Sequence, residues 1–299
     1  MAGPSFDDRN GVIWMDGEIV PWREANTHVL THGLHYASSV FEGERAYNGT
    51  IFKLKEHTER LFASARGLAF EIPYTVQEIN DACNAVVREN GLTDAYIRPV
   101  AYRGSEMMAV AAQSSTIHVA IAAWEWPSMY DPKEKLKGIR LGWASWRRPD
   151  PATIPCKAKA AGLYMICTLS KHEAEAAGYH DALMLDYRGL VAEATGANIF
   201  FVKDGVLHTP TPDCILDGIT KRTVMDLARA RQLQVVERAI DGSELVQDAF
   251  EECFLTGTAA EVTPVASIGD ITFEKRDITK LLMEDFARLV RTAPEQAVA

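Results

Sequence analysis

The chain has 299 residues, is 47% hydrophobic and carries a net charge of −10. That is enough apolar material for a sizeable core, and enough length for two domains. The acidic balance disfavours a nucleic-acid partner, because phosphate binding needs clustered Lys and Arg, and Trp146-Arg147-Arg148 is too short to supply it.

Residues 11–20 predict a hairpin, two apolar runs around the favoured two-residue turn Asp16-Gly17. Residues 41–47 and 50–54 predict a second strand pair around Asn48-Gly49. Residues 55–68 predict an amphipathic helix, with Leu61, Phe62, Ala65 and Leu68 at helical spacing. Residues 75–90 predict another, with Thr75 placed to cap it and Gly91 to end it. Residues 95–102 and 116–123 have the apolar bias of strands. The stretch 127–136 contains Pro127 and Pro132 and has no periodicity, so it reads as a linker between domains 1–126 and 137–299.

Past that break, residues 138–145 read as a strand, and a helix follows Lys159 through Ala177 to stop at Gly178. Short strands are predicted over 181–186, 189–193, 199–202 and 206–209, with turns at 187–189 and 203–205. Residues 220–232 predict a helix, 234–239 a strand, 243–246 a short helix, 252–256 a strand and 277–292 a last helix. Strands and helices mixed in two parts make an α/β or α+β chain.

Lys159 lies in a small-residue segment, Lys159-Ala160-Ala161-Gly162-Leu163-Tyr164, and Glu193 opens a second, Glu193-Ala194-Thr195-Gly196-Ala197-Asn198. A lysine can form a Schiff base with a carbonyl cofactor such as pyridoxal phosphate. A carboxylate against the pyridine nitrogen then keeps the ring protonated and electron-withdrawing. Leu216-Asp217-Gly218-Ile219-Thr220 runs into a helix whose free N–H groups attract an anion, although an ordinary helix cap has the same pattern. Thr256-Gly257-Thr258-Ala259-Ala260 ends a strand in a turn able to form an anion nest, or a plain tight turn. By pattern alone, Arg60 sits on a solvated helix face.

Competing chemistries find little support. His28, His32 and His35 lack the accompanying carboxylate of an HExxH metal site, and there is no GxSxG elbow. Five scattered cysteines without a CxxC pair point to neither zinc nor disulfides and fit a reducing cytoplasm. Cys156, three residues before Lys159, reads as a small buried thiol. No run approaches the ~20 apolar residues that span a bilayer. Residues 1–16, acidic and broken by Pro4 and Gly11, do not read as a signal peptide.

Seven segments in order resemble the class IV, or fold-type IV, pyridoxal-phosphate enzymes, and within them the branched-chain amino-acid aminotransferases. The first three are His35-Tyr36-Ala37-Ser38-Ser39-Val40-Phe41-Glu42-Gly43-Glu44-Arg45, Glu56-His57-Thr58-Glu59-Arg60-Leu61 and Ala95-Tyr96-Ile97-Arg98-Pro99. The two opened by Lys159 and Glu193 follow, then Leu216–Thr220 and residues 256–265. The resemblance implies two domains with the active site at their interface, the second binding the cofactor. It implies Lys159 as Schiff-base lysine and proton carrier, Glu193 on the pyridine nitrogen and Tyr164 on the 3-oxygen. Arg60, Ile219, Thr220 and Thr258 would hold the phosphate, in a cradle shaped by Leu216, Gly218 and Gly257.

The same resemblance implies a substrate pocket. Arg98, paired with Tyr96, would receive the distal carboxylate of glutamate. Tyr36, Phe41, Gly43, Arg45, Trp126, Tyr130 and Tyr164 would form its walls, and the amides of Thr258 and Ala259 would take the α-carboxylate. Tyr36 and the Met107-Met108-Ala109-Val110 loop would come from a neighbouring subunit, so at least a homodimer is expected. An uncompensated buried Arg98 would be costly, so it needs a polar neighbour or water when leucine is bound. Two residues depart from the pattern: Ala109 stands where many relatives have glycine, and Asp217, where many have proline, adds charge near the expected phosphate. The implied activity is transfer of an amino group between leucine, isoleucine or valine and 2-oxoglutarate. D-amino-acid and (R)-amine transaminases share the fold, and a cofactor-binding protein without turnover is the remaining alternative.

Overall fold

The computed structural model describes residues 5–126 and 135–292. Most of the expected linker, 127–134, and with it Tyr130, lies outside the described residues. The chain divides into two compact units, Met1–Pro127 with Ala158–Gly162, and Ser128–Lys157 with Leu163–Ala299.

In the N-terminal unit, the hairpin β1 (Val12–Met15) and β2 (Glu18–Pro21) turns through Asp16 and Gly17 at φ 51° and 100°. These left-handed values suit the twist of a two-residue hairpin. With β3 (Ser39–Phe41), β4 (Glu44–Tyr47), β5 (Thr50–Ile51), β6 (Ala95–Arg103) and β7 (Ile117–Glu125), the described strands form a sheet in the order β2-β1-β7-β6-β4-β5, with β3 also on β6. Its centre is the antiparallel pair β6 (Ala95–Arg103) and β7 (Ile117–Glu125). Helices α2 (Leu54–Gly67) and α3 (Val76–Glu89) bury Leu61, Ala65, Ile79, Cys83 and Val86. A capping box starts α3: Thr75 Oγ1 accepts from the Glu78 amide at 3.2 Å, and Glu78 Oε2 accepts from the Thr75 amide at 2.7 Å.

Residues 41–47 are not one strand. They split into β3 (Ser39–Phe41) and β4 (Glu44–Tyr47), both paired with β6, around Glu42 and Gly43. A Cβ at Gly43 would overlap the Tyr96 hydroxyl, so the break lets backbone and phenol approach closely. A short helix, α1 (His32–Tyr36), also went unread, being too brief for periodicity to show.

In the C-terminal unit the described strands are β8 (Ile139–Trp143), β9 (Asp181–Leu185), β10 (Val191–Ala194), β11 (Asn198–Lys203), β12 (Val206–Pro210), β13 (Val235–Arg238), β14 (Glu252–Gly257), β15 (Glu261–Ile268) and β16 (Ile271–Thr272), and they form a mixed sheet, β10-β9-β8-β15-β14-β11-β12-β13, with β16 on β15. Helices α4 (Met165–Ala176), α5 (Ile219–Ala230) and α6 (Asp277–Arg291) belong to this unit. Leu141, Leu183, Ile199, Phe201, Leu255, Val265 and Ile268 are in its core. The inner strand β15 (Glu261–Ile268) escaped the sequence reading because Pro264 normally argues against a central strand. Here β15 pairs with β14 (Glu252–Gly257) from Pro264 back to Glu261, and with β8 (Ile139–Trp143) only from Val265 onward. The proline therefore sits where the ladder to β8 has not begun.

Candidate active site

In the N-terminal unit, Lys159 is built against β3 and α2. Its amide donates to Ser64 Oγ at 2.9 Å, its carbonyl accepts from the Phe41 amide at 3.1 Å, and Ala160 bridges to Val40. Small residues allow this approach, since a Cβ on Gly67 would already press Ala158 and one on Gly162 would press Ala37. The Lys159 amine lies 5.0 Å from the Phe41 ring centre. Burial pushes its pKa down, and Arg60 and Arg98 add to that against the opposing pull of Glu42 and Tyr96. The result is an amine more readily neutral than an ordinary lysine.

Arg98 is brought beside it. Its guanidinium sits 4.8 Å over Phe41, and its Nη2 donates to the Tyr96 hydroxyl at 3.1 Å. Tyr96 is thus the polar neighbour that the sequence required but left unnamed. Its ring stacks obliquely with Trp126, whose carbonyl accepts from Arg45 at 3.3 Å. Tyr36, Met108, Ala109 and Val110 stand on the exposed side of this unit, Val110 being 86% exposed. Tyr36 stacks on His32, whose Nε2 hydrogen-bonds the Ala109 carbonyl at 2.9 Å, tying α1 to the 107–110 loop.

Arg60 is not on a solvated face. Its Nε and Nη2 both donate to the fully buried Glu42 carboxylate, which also binds His57 Nδ1 at 2.7 Å. Burial would raise the Glu42 pKa, but Arg60 and His57 outweigh it and hold the carboxyl below its ordinary range. The sequence reading missed this hub, although Glu42 and His57 both stand in the quoted segments.

In the C-terminal unit, Glu193 lies in β10 (Val191–Ala194) and is buried. Its Oε1 is 3.5 Å from Arg148 Nε, and its Oε2 accepts from Asn198 Nδ2 at 3.2 Å. Burial works against the Arg148 charge, but Glu193 together with Cys167, Tyr164 and Cys156 outweighs it, so the guanidinium is held above its ordinary range. Tyr164 leads directly into α4 and contributes to the same field around Arg148. Neither Arg148 nor Asn198 was singled out from sequence; an arginine just before the lysine segment was the available signal.

The segment read as an anion cradle lies in the same unit. Gly218 precedes α5, whose first amides belong to Ile219 and Thr220, with no side-chain cap and no acid in the first turn. Asn198 is in β11 (Asn198–Lys203), and its Nδ2 also donates to the Leu216 carbonyl at 3.0 Å. Asp217 does not leave a bare charge there: Lys221 lies 3.6 Å from it and Arg222 3.9 Å. Gly257 ends β14, and Thr258, Ala259 and Ala260 turn the chain into β15. A Cβ on Gly257 would meet Ala197 and the Gly196 carbonyl at 3.4 Å, so this turn adjoins the Glu193 loop. Thr256 Oγ1 is buried with no hydrogen-bond partner. In the C-terminal unit, an uncapped helix start, a glycine cradle and a buried carboxylate suit an anion and a basic ring nitrogen; in the N-terminal unit, a lysine biased toward its neutral form suits an aldehyde; these are the chemical features of pyridoxal phosphate.

The family model for class IV amino-transferases matches residues 39–268. The chain belongs to that family. It is 46% identical over 268 residues to the branched-chain-amino-acid aminotransferase of Pseudomonas aeruginosa, covering 88% of this chain and 87% of that one. It is 44% identical over 283 residues to the probable branched-chain-amino-acid aminotransferase of Rickettsia felis, covering 93% and 96%. Among solved structures, a T.th. branched-chain amino acid aminotransferase complexed with N-(5'-phosphopyridoxyl)-L-glutamate superposes with a TM-score of 0.90 at 40% identity, covering 96% of each chain. The mixed α/β fold is thus that of the fold-type IV aminotransferases, and the class IV membership accords with pyridoxal phosphate as cofactor.

A second cluster carries no such chemistry. Asp186, Asp213 and Cys214 have metal-like spacing, but Arg188 bonds both carboxylates at 2.6 Å and fills the position a cation would take.

Proposed function

We propose that this class IV amino-transferase moves the amino group between branched-chain L-amino acids (leucine, isoleucine and valine) and 2-oxoglutarate. The observation that carries the reading is Lys159, a lysine amine biased toward its neutral form and aimed at Phe41 and Arg98, in a chain whose relatives bear that activity in their names. Bound pyridoxal phosphate would supply the electron sink that loosens the substrate Cα–H bond. Lys159 is the residue that would hold that group, and its neutral amine would take up and return the Cα proton.

Glu193 would present its carboxylate to the ring nitrogen, and Tyr164 would hydrogen-bond the ring's 3-oxygen. Arg60, the amides of Ile219 and Thr220, and the Gly257-Thr258 turn hold the phosphate, with Leu216 and Gly218 shaping the cradle. The amides of Thr258 and Ala259 receive the substrate's α-carboxylate. Phe41, Gly43, Arg45, Tyr96, Trp126 and Tyr164 would wall the side-chain pocket. Arg98, whose Nη2 donates to the Tyr96 hydroxyl and whose Nε is buried without a partner among the described residues, would take the distal carboxylate of glutamate. One pocket then serves both half-reactions, giving ping-pong kinetics.

Met108-Ala109-Val110 and Tyr36 complete the pocket of a second copy of the chain. Supporting this, Val29, Leu34 and Val110 are 70%, 65% and 86% exposed in one copy, an apolar surface that favours association. A cytoplasmic location fits five free cysteines and the lack, among the described residues, of a helix long and apolar enough to cross a membrane.

The test is the visible spectrum of the cofactor-loaded protein titrated with L-leucine, D-leucine and (R)-1-phenylethylamine. Loss of the visible band with L-leucine alone is the expected result. Bleaching by D-leucine or the chiral amine instead overturns the substrate, and a protein that binds no pyridoxal phosphate overturns the reading.

A further inference from the structure

Asn198 joins the two ends of the C-terminal unit's site. A single amide nitrogen donates both to Glu193 Oε2, at 3.2 Å, and to the carbonyl of Leu216, at 3.0 Å. The first partner is the carboxylate proposed for the ring nitrogen; the second begins the turn proposed for the phosphate. The other side of the amide explains the glycine in that turn. Gly218 has an ordinary φ of −67°, so backbone strain does not require glycine there. A Cβ would instead overlap Asn198 Oδ1. Asn198 is 5% exposed, and its register partner on β14 is Thr256, just before the Gly257-Thr258 turn. Arg148 holds the other oxygen of Glu193.

We propose that Asn198 is a positioning residue that sets the distance between the ring-nitrogen carboxylate and the phosphate turn, so that one rigid amide fixes both ends of the bound cofactor. The inference rests on the proposed cofactor reading and adds to it a residue that touches neither the substrate nor the reacting atoms. The geometry requires a side chain that donates twice and still fits beneath Gly218. An aspartate has the same outline but puts an oxygen where the amide donates, opposing both Glu193 and the Leu216 carbonyl.

The experiment measures binding of pyridoxal 5′-phosphate and of pyridoxal, which lacks the phosphate, to full-length cofactor-stripped protein. Asn198→Asp is compared with the unsubstituted chain. A bridge between both ends predicts roughly tenfold weaker binding of pyridoxal and a clearly larger loss, on the order of a hundredfold, for the phosphate form, since two donated hydrogen bonds are lost. The deficit should also narrow as pH falls from about 8 to about 5.5, because a carboxyl beside Glu193 protonates early and regains a donor. A purely structural defect does not recover in that way. Gly218→Ala serves as an independent variant: its methyl displaces the Asn198 amide without removing it, and the same larger loss for the phosphate form is expected, without the recovery at low pH. Equal losses for the two ligands, a loss confined to the phosphate form, or no loss overturns the bridge. If the unsubstituted protein binds neither ligand, the cofactor reading itself fails, which is a different result.

Discussion

Glu42 receives Arg60 side-on, with Nε on one carboxylate oxygen at 2.6 Å and Nη2 on the other at 2.9 Å. The carboxylate is fully buried, and His57 adds a third donor. This pairing fixes the guanidinium and puts one negative charge among the cations near Lys159.

Removing that charge leaves Arg60 poorly compensated. Glu42→Gln keeps the shape and one acceptor but loses the ion pair, so unfolding free energy should drop by about 3 kcal/mol. Urea unfolding checks this, and a drop below about 1 kcal/mol would show that the pair contributes little beyond packing. The native pKa of Glu42 is depressed, so its stabilisation is fully present above its ordinary value of 4.5 and fades as pH falls below it.

Glu44, two residues on, should behave in the opposite sense. Burial, and then the Glu42 charge, raise its pKa well above 4.5, which favours the neutral acid in the folded chain. Above pH 4.5 the unfolded chain ionises this group while the folded chain keeps the proton. Unfolding then releases a proton, and stability declines as pH rises. Glu44→Gln removes this penalty. Its stability relative to the unsubstituted protein should improve from about pH 5 to about pH 8, measured by thermal unfolding at each pH. A constant difference would mean that Glu44 is ionised when folded.

Gly43→Ala tests the approach of Tyr96. The added methyl collides with the phenol and must move it, loosening the hydrogen bond from Arg98. Under the proposed function kcat/KM should fall more for glutamate than for leucine, by roughly tenfold, because the site then holds its cation badly. Parallel kinetics with the two donors decide it; equal losses would assign Gly43 to general packing.

The cysteines should be quiet in the native protein. All five are buried, and burial first of all pushes Cys167 up to about 11 and Cys214 up to about 12. A thiol reagent at about pH 8 should label the native chain slowly and reach all five only in denaturant, since the thiolate is the nucleophile. Rapid native labelling would contradict these environments.

Local pattern carried much of the fold. Asp16-Gly17 and Asn48-Gly49 place hairpin turns because few residues tolerate left-handed φ, and Thr75 with Glu78 starts α3 through contacts only three residues apart. The lysine and glutamate segments were legible because their chemistry needs those residue types. What remained hidden depends on residues distant in sequence. Arg60 looked like a surface charge until packing set it on Glu42, 18 positions away. β15 looked broken by Pro264 until its neighbours showed where the ladder to β8 begins. Asn198 was one polar residue in a strand until folding put Glu193 and Leu216 within reach of one nitrogen. The sequence by itself determined turns, caps and reactive groups, which answer to short-range sterics and side-chain chemistry. Only the tertiary structure decided which charges are buried together and which amide spans two loops, because those energies exist only once distant segments exclude water between them.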